Sequence, residues 1–572
     1  MMDDLGAVSS GLRAQGSRLT AHGSIDSLLR ESVAHRPDRP ALHLWGQDMS
    51  YRDLSAAVDR LADHLLATSN GYTAGRSLAG ARIGIIAPNV PALIIAMFAV
   101  WRSGAAVVPL NARLREFELG RILHDAGVSV LIAVSAYRGY SFVSLMPRLL
   151  PQLPGLRSCL FVDPMGEIED QIEQPAAAPE AALDAQFGAI LYTSGTTGMP
   201  KGALVKHERE LGGAHQMGTV LGLTPEDTCI FVVPITHAFG MTCLLSCIAS
   251  GSRIVLVEST FSPEPMVSAI KQHKATVLHG SPSVFISLLK AASQSGDAPA
   301  RSTLRTGFVA GASCPAHVLQ ELDDAGARIL NLFGMTEIGA AACCRPEDPP
   351  QARYTSSGRP LAGYEFRIVS HGASSSENDA PPGEHLSGSP DCVRPAEGIA
   401  PTTRVLPVGD VGEIEVRGPY VSPGYFHQPE QTAQAFDRDP QRENDPPWFR
   451  TGDLGSMDEH GYVRISGRAK EVIQVGGLNV FPAEVEGFLL THPDVVQAAV
   501  IGVPHETMGE ALQAFVVARS DSGLTPSALL QFARAKIAGY KLPYAITMLP
   551  ALPALPSGKP DRAALQAMSR EL

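Results

Sequence analysis

Hydrophobic and polar positions change period repeatedly along the chain after residue 24. Apolar residues recur at helical spacing over residues 27–35 and 51–67, which predicts helices there. Residues 81–87 (ARIGIIA) form an unbroken apolar run that stops at Pro88, the pattern of a strand buried on both faces. A helix over 91–102, a strand over 105–108, a helix over 115–125 and a strand over 128–134 follow. This alternation predicts parallel sheets covered by helices, and it returns over 228–257 and 263–308. Beyond about residue 356 the blocks shorten. Strands over 366–369, 411–417 and 462–466 among turn residues predict a smaller β-rich subdomain. From residue 471 a separate α/β unit is predicted, with a helix over 482–491, strands over 495–503 and 513–518, and a helix over 527–538. No internal repeat is visible. The fold class is therefore α/β: a large N-terminal body of two α/β subdomains plus the β-rich one, and a small C-terminal α/β domain.

Composition narrows the picture. A chain of 572 residues suggests roughly four packed units at about 150 residues each. With 45% hydrophobic and 18% charged residues, it can form packed cores. The 46 Lys and Arg against 58 Asp and Glu leave a formal net charge of −12, which argues against nucleic acid as a partner. Eight cysteines are too sparse for a disulfide scaffold, and they read as reduced, buried thiols of a cytoplasmic protein. The first twenty residues lack the apolar core of a signal peptide, and residues 1–22 read as a flexible leader. The most apolar stretch, 91–110, is broken by Arg102, Gly104 and Pro109, so no transmembrane segment is expected. Residues 371–407, rich in Ser, Pro, Gly and Ala, read as a mobile surface insertion.

The strongest local signal is YTSGTTGMPKG, residues 192–202. Apolar residues 189–191 and 203–205 flank it as strands. Between them lie three glycines, four aliphatic hydroxyls and Lys201. Glycine lets backbone amides approach an anion, hydroxyls donate to phosphate oxygens, and the ammonium adds a point charge. The loop suits a polyphosphate. It is not a Walker A loop, since Pro200 precedes Lys201, and the chain has no G-x-G-x-x-G or G-x-S-x-G.

This loop resembles the phosphate signature of the ANL adenylate-forming enzymes, which include acyl-CoA synthetases, adenylation domains of nonribosomal peptide synthetases and beetle luciferases. Four further motifs agree in order and spacing: NLFGMTEIG at 331–339, WFRTGDLG at 448–455, GRAKEVIQVGGLNVFPAEVE at 467–486 and PSGKPDR at 556–562. The resemblance spans about residues 25–565. It implies an N-terminal AMP-binding domain at 23–469, a mobile C-terminal domain at 470–572, and a hinge at Lys470.

The resemblance also implies ATP and Mg²⁺, with coenzyme A or a carrier-protein phosphopantetheine as thiol acceptor. Thr193, Ser194, Gly195, Thr196, Thr197, Gly198 and Lys201 would hold the β- and γ-phosphates. Glu337 would hold the metal and Thr336 would contact the α-phosphate. Gly311, Ala312, Asn331, Leu332, Phe333 and Gly334 would line the nucleotide, with Phe333 stacked on adenine. Asp453 would accept from the ribose hydroxyls, and Arg468 would reach the ribose and phosphate. Lys559 would bridge the attacking carboxylate and the α-phosphate. Gly476 and Gly477 would line the thiol tunnel, and His237, in PITHAFG, the acyl site.

Amino-acid-activating relatives carry an aspartate in the element that here reads 234–240, where this chain has no acidic residue. The candidate acyl pocket, Ala238, Phe239, Met241, Ser281, Phe285, Met335 and Ile338 with Gly311, Leu332 and Gly334, carries no charge. A hydrophobic acid, aliphatic or aryl, is therefore expected as the small-molecule partner. Gln474 stands where some relatives carry lysine. The expected activity is an acid–thiol ligase making acyl-CoA. The alternative is a freestanding enzyme that loads an acyl carrier protein, because nothing after Arg562 resembles a carrier domain. Oligomeric state is not legible.

Overall fold

The computed structural model describes residues 23–68, 77–175, 182–193, 200–257, 263–294, 303–370, 404–437, 445–475, 478–505, 508–534, 536–555 and 559–571. The expected leader, most of the expected insertion, the loop tip 194–199 and the Gly476–Gly477 pair lie outside them.

Two large sheets carry the N-terminal body. One has seven strands, in the order Lys201–Lys206, Phe187–Thr193, Ala106–Leu110, Arg82–Ile86, Val130–Val134, Ser158–Val162 and Ile168–Glu173. Its inner pairs are parallel and its two edge hairpins antiparallel. Arg82–Ile86, Ala106–Leu110, Val130–Val134 and Ser158–Val162 are buried at every position, which is why three of them read as unbroken apolar runs. Helix Pro91–Arg102 is buried through Trp101. Its one charge, Arg102, turns onto Asp26 at 2.9 Å and Asp59 at 2.8 Å. Among the described residues no helix is long and apolar enough to cross a membrane.

The second sheet has nine strands, in the order Arg359–Pro360, Gly339–Cys343, Arg328–Met335, Thr306–Val309, Val277–Leu278, Thr228–Phe231, Arg253–Leu256, Pro40–Leu44 and Gln47–Ser50. Along Thr228–Phe231 and onward, alternate residues enter different cores. Cys229, Phe231 and Val233 join the main core beneath helix Ala238–Ser250. Ile230 and Val232 join a second core on the other face.

The β-rich part is a five-stranded sheet of Glu365–Val369, Gly412–Arg417, Trp448–Met457, Phe436–Asp437 and Val463–Arg468. The C-terminal unit is another five-stranded sheet, with its own core of Ile473, Val480, Val485, Leu489, Val500, Leu512 and Leu529.

Several bounds differ from expectation. The last predicted helix, 527–538, is Pro526–Arg534. The strand expected at 462–466 runs Val463–Arg468, because the long partner Trp448–Met457 pairs it to the end despite its polar tail. The expected insertion ends earlier than residue 407. Val405 bridges Val369, and Leu406 N–H donates to Ile368 O at 2.9 Å, so residues 404–407 extend the sheet edge. Helix His207–Leu221 was not anticipated, since its three glycines mask the helical period.

Candidate active site

Strands Phe187–Thr193 and Lys201–Lys206 form a hairpin whose last register pair is Thr193 opposite Lys201. That pair stands at the mouth of the glycine-rich tip. Ser194, Gly195, Thr196, Thr197 and Gly198 belong to the tip and lie outside the described residues. Gly202 is held to glycine by crowding, because a Cβ there would come within 2.8 Å of Ile190. A neighbouring loop is stitched to the return strand: Phe426 N–H donates to Gly202 O at 2.7 Å, and Leu204 N–H to Gly424 O at 3.1 Å.

Thr336 and Glu337 occupy the turn of the hairpin formed by Arg328–Met335 and Gly339–Cys343. Gly339 closes the turn at φ 65, and Gly334 allows the bulge, since a Cβ there would meet Gly339 O at 2.2 Å. Three outside groups brace the turn. Arg209 Nη1 donates to Thr336 O at 2.6 Å, Tyr364 Oη donates to Ile338 O, and Ser422 N–H donates to Glu337 O at 2.7 Å. Arg209 is buried against Glu210 at 2.9 Å, and Glu210 accepts from Thr242 Oγ1 at 2.9 Å. Tyr425 Oη donates to Glu337 Oε1 at 2.8 Å. Glu337 Oε2 accepts from no described donor, so a hard carboxylate oxygen is left for a hard cation such as Mg²⁺.

The preceding strand carries the other nucleotide candidates. Asn331 Nδ2 donates to Arg353 O at 2.9 Å. Leu332 and Phe333 are buried, with the Phe333 ring 6.2 Å from that of Phe366. Gly311, at φ 89, and Ala312 are exposed.

Asp453 and Arg468 are register partners on adjacent antiparallel strands, with Arg468 Nε 2.9 Å from Asp453 Oδ1. Burial pushes the Asp453 carboxyl up to about 6, against the opposing charges of Arg468 and Lys559. Lys559 comes from the C-terminal unit, yet its Cε lies 3.9 Å from where a Gly311 Cβ would sit. Its residue keeps a solvent-open face, while the cleft crowded around its ammonium, and Arg468 after that, hold its pKa below the usual range. A narrow backbone loop carries it: Leu555 N–H donates to Lys559 O at 2.8 Å, and Asp561 N–H to Pro553 O at 2.8 Å. At the expected hinge, Ala469–Glu471 form a single 3-10 turn. Glu471 pairs with Arg562 at 3.1 Å. The Lys470 side chain lies outside the described residues.

His237 precedes helix Ala238–Ser250 and receives no cap bond. Its Nε2 and the neighbouring Thr236 Oγ1 are buried without hydrogen-bond partners. Burial first, and the Lys559 charge second, lower the His237 pKa, so the ring is neutral. Gly240 is required in this segment, since a Cβ would lie 2.1 Å from Pro234 O. Ala238 and Met241 are buried on the helix, Ile338 is buried in the same core, and Met335 packs against it. Phe239 meets the His279 ring edge-on at 6.3 Å. Ser281 Oγ pairs with Ser283 Oγ at 2.8 Å. Phe285 packs in the second core, on the opposite face of the sheet from Met241, so the structure does not bring it together with the helix residues.

Sequence reasoning did not single out Tyr425, Arg209, Thr236 or His279. None carries a motif signal alone. Tyr425, Arg209 and His279 matter through contacts made far along the chain.

The described cysteines are free, and all but the half-buried Cys314 are buried. Cys229, Cys247 and His279 bring their ligating atoms within 4.8 Å of one another. The His279 ring is nevertheless the wrong tautomer for a metal there. Its Nδ1 accepts the Phe308 N–H at 3.2 Å, so the proton sits on Nε2, which faces the Cys247 sulfur. The neighbouring Cys229 thiol, against the effect of burial and with help from His279, lowers the Cys247 thiol pKa. The three groups are buried together within the core, and His279 Nε2 has no hydrogen-bond partner among the described residues.

Comparison with known proteins bears on this arrangement. The family described as AMP-binding enzyme matches residues 29–394, and the AMP-binding enzyme C-terminal domain matches residues 484–559. A 7a-methyl-1,5-dioxo-octahydro-1H-inden-4-yl propanoyl:CoA ligase of Mycobacterium tuberculosis is 32% identical over 570 residues, covering 96% of this chain and 98% of the relative. A feruloyl-CoA synthase of an Amycolatopsis species is 31% identical over 525 residues, covering 91% of this chain and 94% of the relative. Among solved structures, the O-succinylbenzoate coenzyme A synthetase of Bacillus subtilis with ATP and a magnesium ion superposes with a TM-score of 0.73. It is 26% identical, and the match covers 94% of this chain and 99% of that one.

Proposed function

The chain belongs to the AMP-binding enzyme family and is an AMP-forming acyl-CoA ligase, and on that footing we propose that it activates a hydrophobic carboxylic acid, fatty or aryl, for transfer to coenzyme A. A substrate carboxylate oxygen attacks the α-phosphorus of ATP, and the bond to pyrophosphate breaks. The coenzyme A sulfur then attacks the acyl carbonyl as its thiol proton leaves, and AMP departs.

The protein's task is to gather charge and align the attack. Lys559 meets the carboxylate and α-phosphate, where negative charge converges. Thr193 and Lys201 flank the phosphate tip. Thr336 contacts the α-phosphate. Asp453 accepts from the ribose hydroxyls, and Arg468 keeps that carboxylate charged and turned inward. Glu337 would hold Mg²⁺, which when bound neutralises phosphate charge. Neutral His237 and Thr236 present unpaired polar atoms at the entrance of an uncharged pocket, which suits an acyl carbonyl followed by an apolar group. Lys470 is the pivot between residues 23–469 and 470–572.

One observation carries this reading: the ammonium of the C-terminal unit lies beside Gly311 of the large body, with Asp453, Arg468 and His237 inside its electrostatic reach. The apolar pocket residues and the acids named for the relatives support the substrate class. Pyrophosphate exchange across aliphatic, aryl and dicarboxylic acids tests it. Exchange with apolar acids and AMP release that requires coenzyme A are expected. Exchange confined to dicarboxylic or amino acids would overturn the substrate class. Release that is fast with a carrier protein and slow with coenzyme A would overturn the acceptor.

A further inference from the structure

Tyr425 stands between two opposite charges of the phosphate site. Its hydroxyl donates to Glu337 Oε1 at 2.8 Å, and Lys201 Nζ lies 5.0 Å from its ring centroid. Among the described residues no ion pair joins Lys201 to a carboxylate. An ammonium resting on an aromatic face is held by the ring quadrupole while its N–H groups stay available. A carboxylate pinned through one oxygen keeps the other free. One side chain thus supports a cation on its face and an anion at its tip.

The backbone around Tyr425 is fixed to both hairpins. Tyr425 bridges Ala203, next to Gly202 on the phosphate hairpin, and Ser422 N–H grips Glu337 O at 2.7 Å on the other. Tyr425 N–H donates to Thr432 Oγ1 at 2.9 Å, and its ring meets Phe436 at 5.9 Å. The ring therefore cannot follow either charge if that charge moves.

We infer that Tyr425 is a positioning residue: it turns the Glu337 carboxylate toward the nucleotide's metal and keeps the Lys201 ammonium apart from that carboxylate and available to phosphate. This rests on the reading that Glu337 holds the metal.

The test is calorimetric binding of α,β-methylene-ATP to the full chain, with and without Mg²⁺. In Tyr425→Phe, which keeps the ring, the gain in affinity on adding Mg²⁺ should shrink about ten- to hundredfold, the range for losing one hydrogen bond to a charged group. In Tyr425→Leu, metal-free affinity should fall as well, because Lys201 loses its platform. In a Glu337→Gln background, Tyr425→Phe should change nothing further. A full magnesium-dependent gain in Tyr425→Phe, with that gain lost in Glu337→Gln, would overturn this inference alone. A full gain in Glu337→Gln would overturn the metal assignment beneath it. Tyr425→Phe losing affinity equally with and without Mg²⁺ would also reject the inference, since that is the mark of a merely structural role.

Discussion

Asp453 and Arg468 sit directly opposite each other on adjacent antiparallel strands, with Nε and Oδ1 2.9 Å apart, and the pair is buried on the aspartate side. Antiparallel register alone sets this contact. Even so, the arginine does not fully offset the burial, and the carboxyl stays raised to about 6.

The sign of the resulting pH dependence is fixed. The folded pKa lies above the ordinary carboxylate value, so the folded state binds its proton more tightly than the unfolded state. Asp453 therefore costs stability as pH rises from about 4 to about 6, and the cost is complete above that. Asp453→Asn should raise the nucleotide-free thermal midpoint more at pH 7.5, by about 1–3 kcal/mol, than at pH 4.5, where only about a third of the cost has developed. The same variant should bind AMP weakly at every pH. In the unsubstituted chain, AMP affinity should fall as pH drops through about 6. Differential scanning calorimetry and equilibrium binding check both limbs.

Lys559→Ala should lower adenylate formation by about 10²–10³-fold, with α,β-methylene-ATP affinity changed by less than about threefold, since the charge it meets develops in the transition state. Hydroxamate trapping and calorimetry separate the two. Lys559 also depresses the His237 pKa. Lys559→Met should therefore raise it, a shift visible in an NMR titration of the imidazole. An unchanged His237 titration would mean that the ammonium does not occupy the cleft in solution.

Gly240 leaves no room for a methyl group, because the contact would be with Pro234 O, a backbone atom. Gly240→Ala should cost about 2–3 kcal/mol by forcing the start of helix Ala238–Ser250 to shift. It should also weaken turnover through His237. Denaturant melts and kcat measured on the same preparation check the pair of effects.

Arg209→Leu strands the buried Glu210 carboxylate and releases the Thr336 carbonyl, and should destabilise the fold by about 3–5 kcal/mol. The double change Arg209→Leu with Glu210→Met removes the orphaned charge and should cost less than the single one. Urea midpoints of the set decide it.

What could be read from the chain divides along physical lines. Strands buried on both faces, such as Arg82–Ile86 and Val130–Val134, need apolar side chains throughout, so their presence and parallel direction were legible, though not their order in the sheet. The polar tail of Val463–Arg468 was not, because pairing along the full length of Trp448–Met457 overrides its Ser-Gly-Arg composition. The glycine- and hydroxyl-rich run at 192–202 stands out against its apolar flanks, whereas the other candidate site residues were legible only through the family resemblance. Phe285 lies on helix Pro282–Gln294 and packs in the second core, a placement that residue type alone does not reveal. Tyr425 was invisible for a related reason: an uncharged residue in a turn acquires meaning only when Glu337, 88 residues away, folds against it.

Two backbone bonds, Leu555 N–H to Lys559 O and Asp561 N–H to Pro553 O, tie the Lys559 backbone to its own unit. On the hinge reading at Lys470, a swing of the C-terminal unit would carry that backbone with it. On that reading, a covalent tether between residues on either side of the cleft should halt turnover at one half-reaction without altering any group that touches the nucleotide.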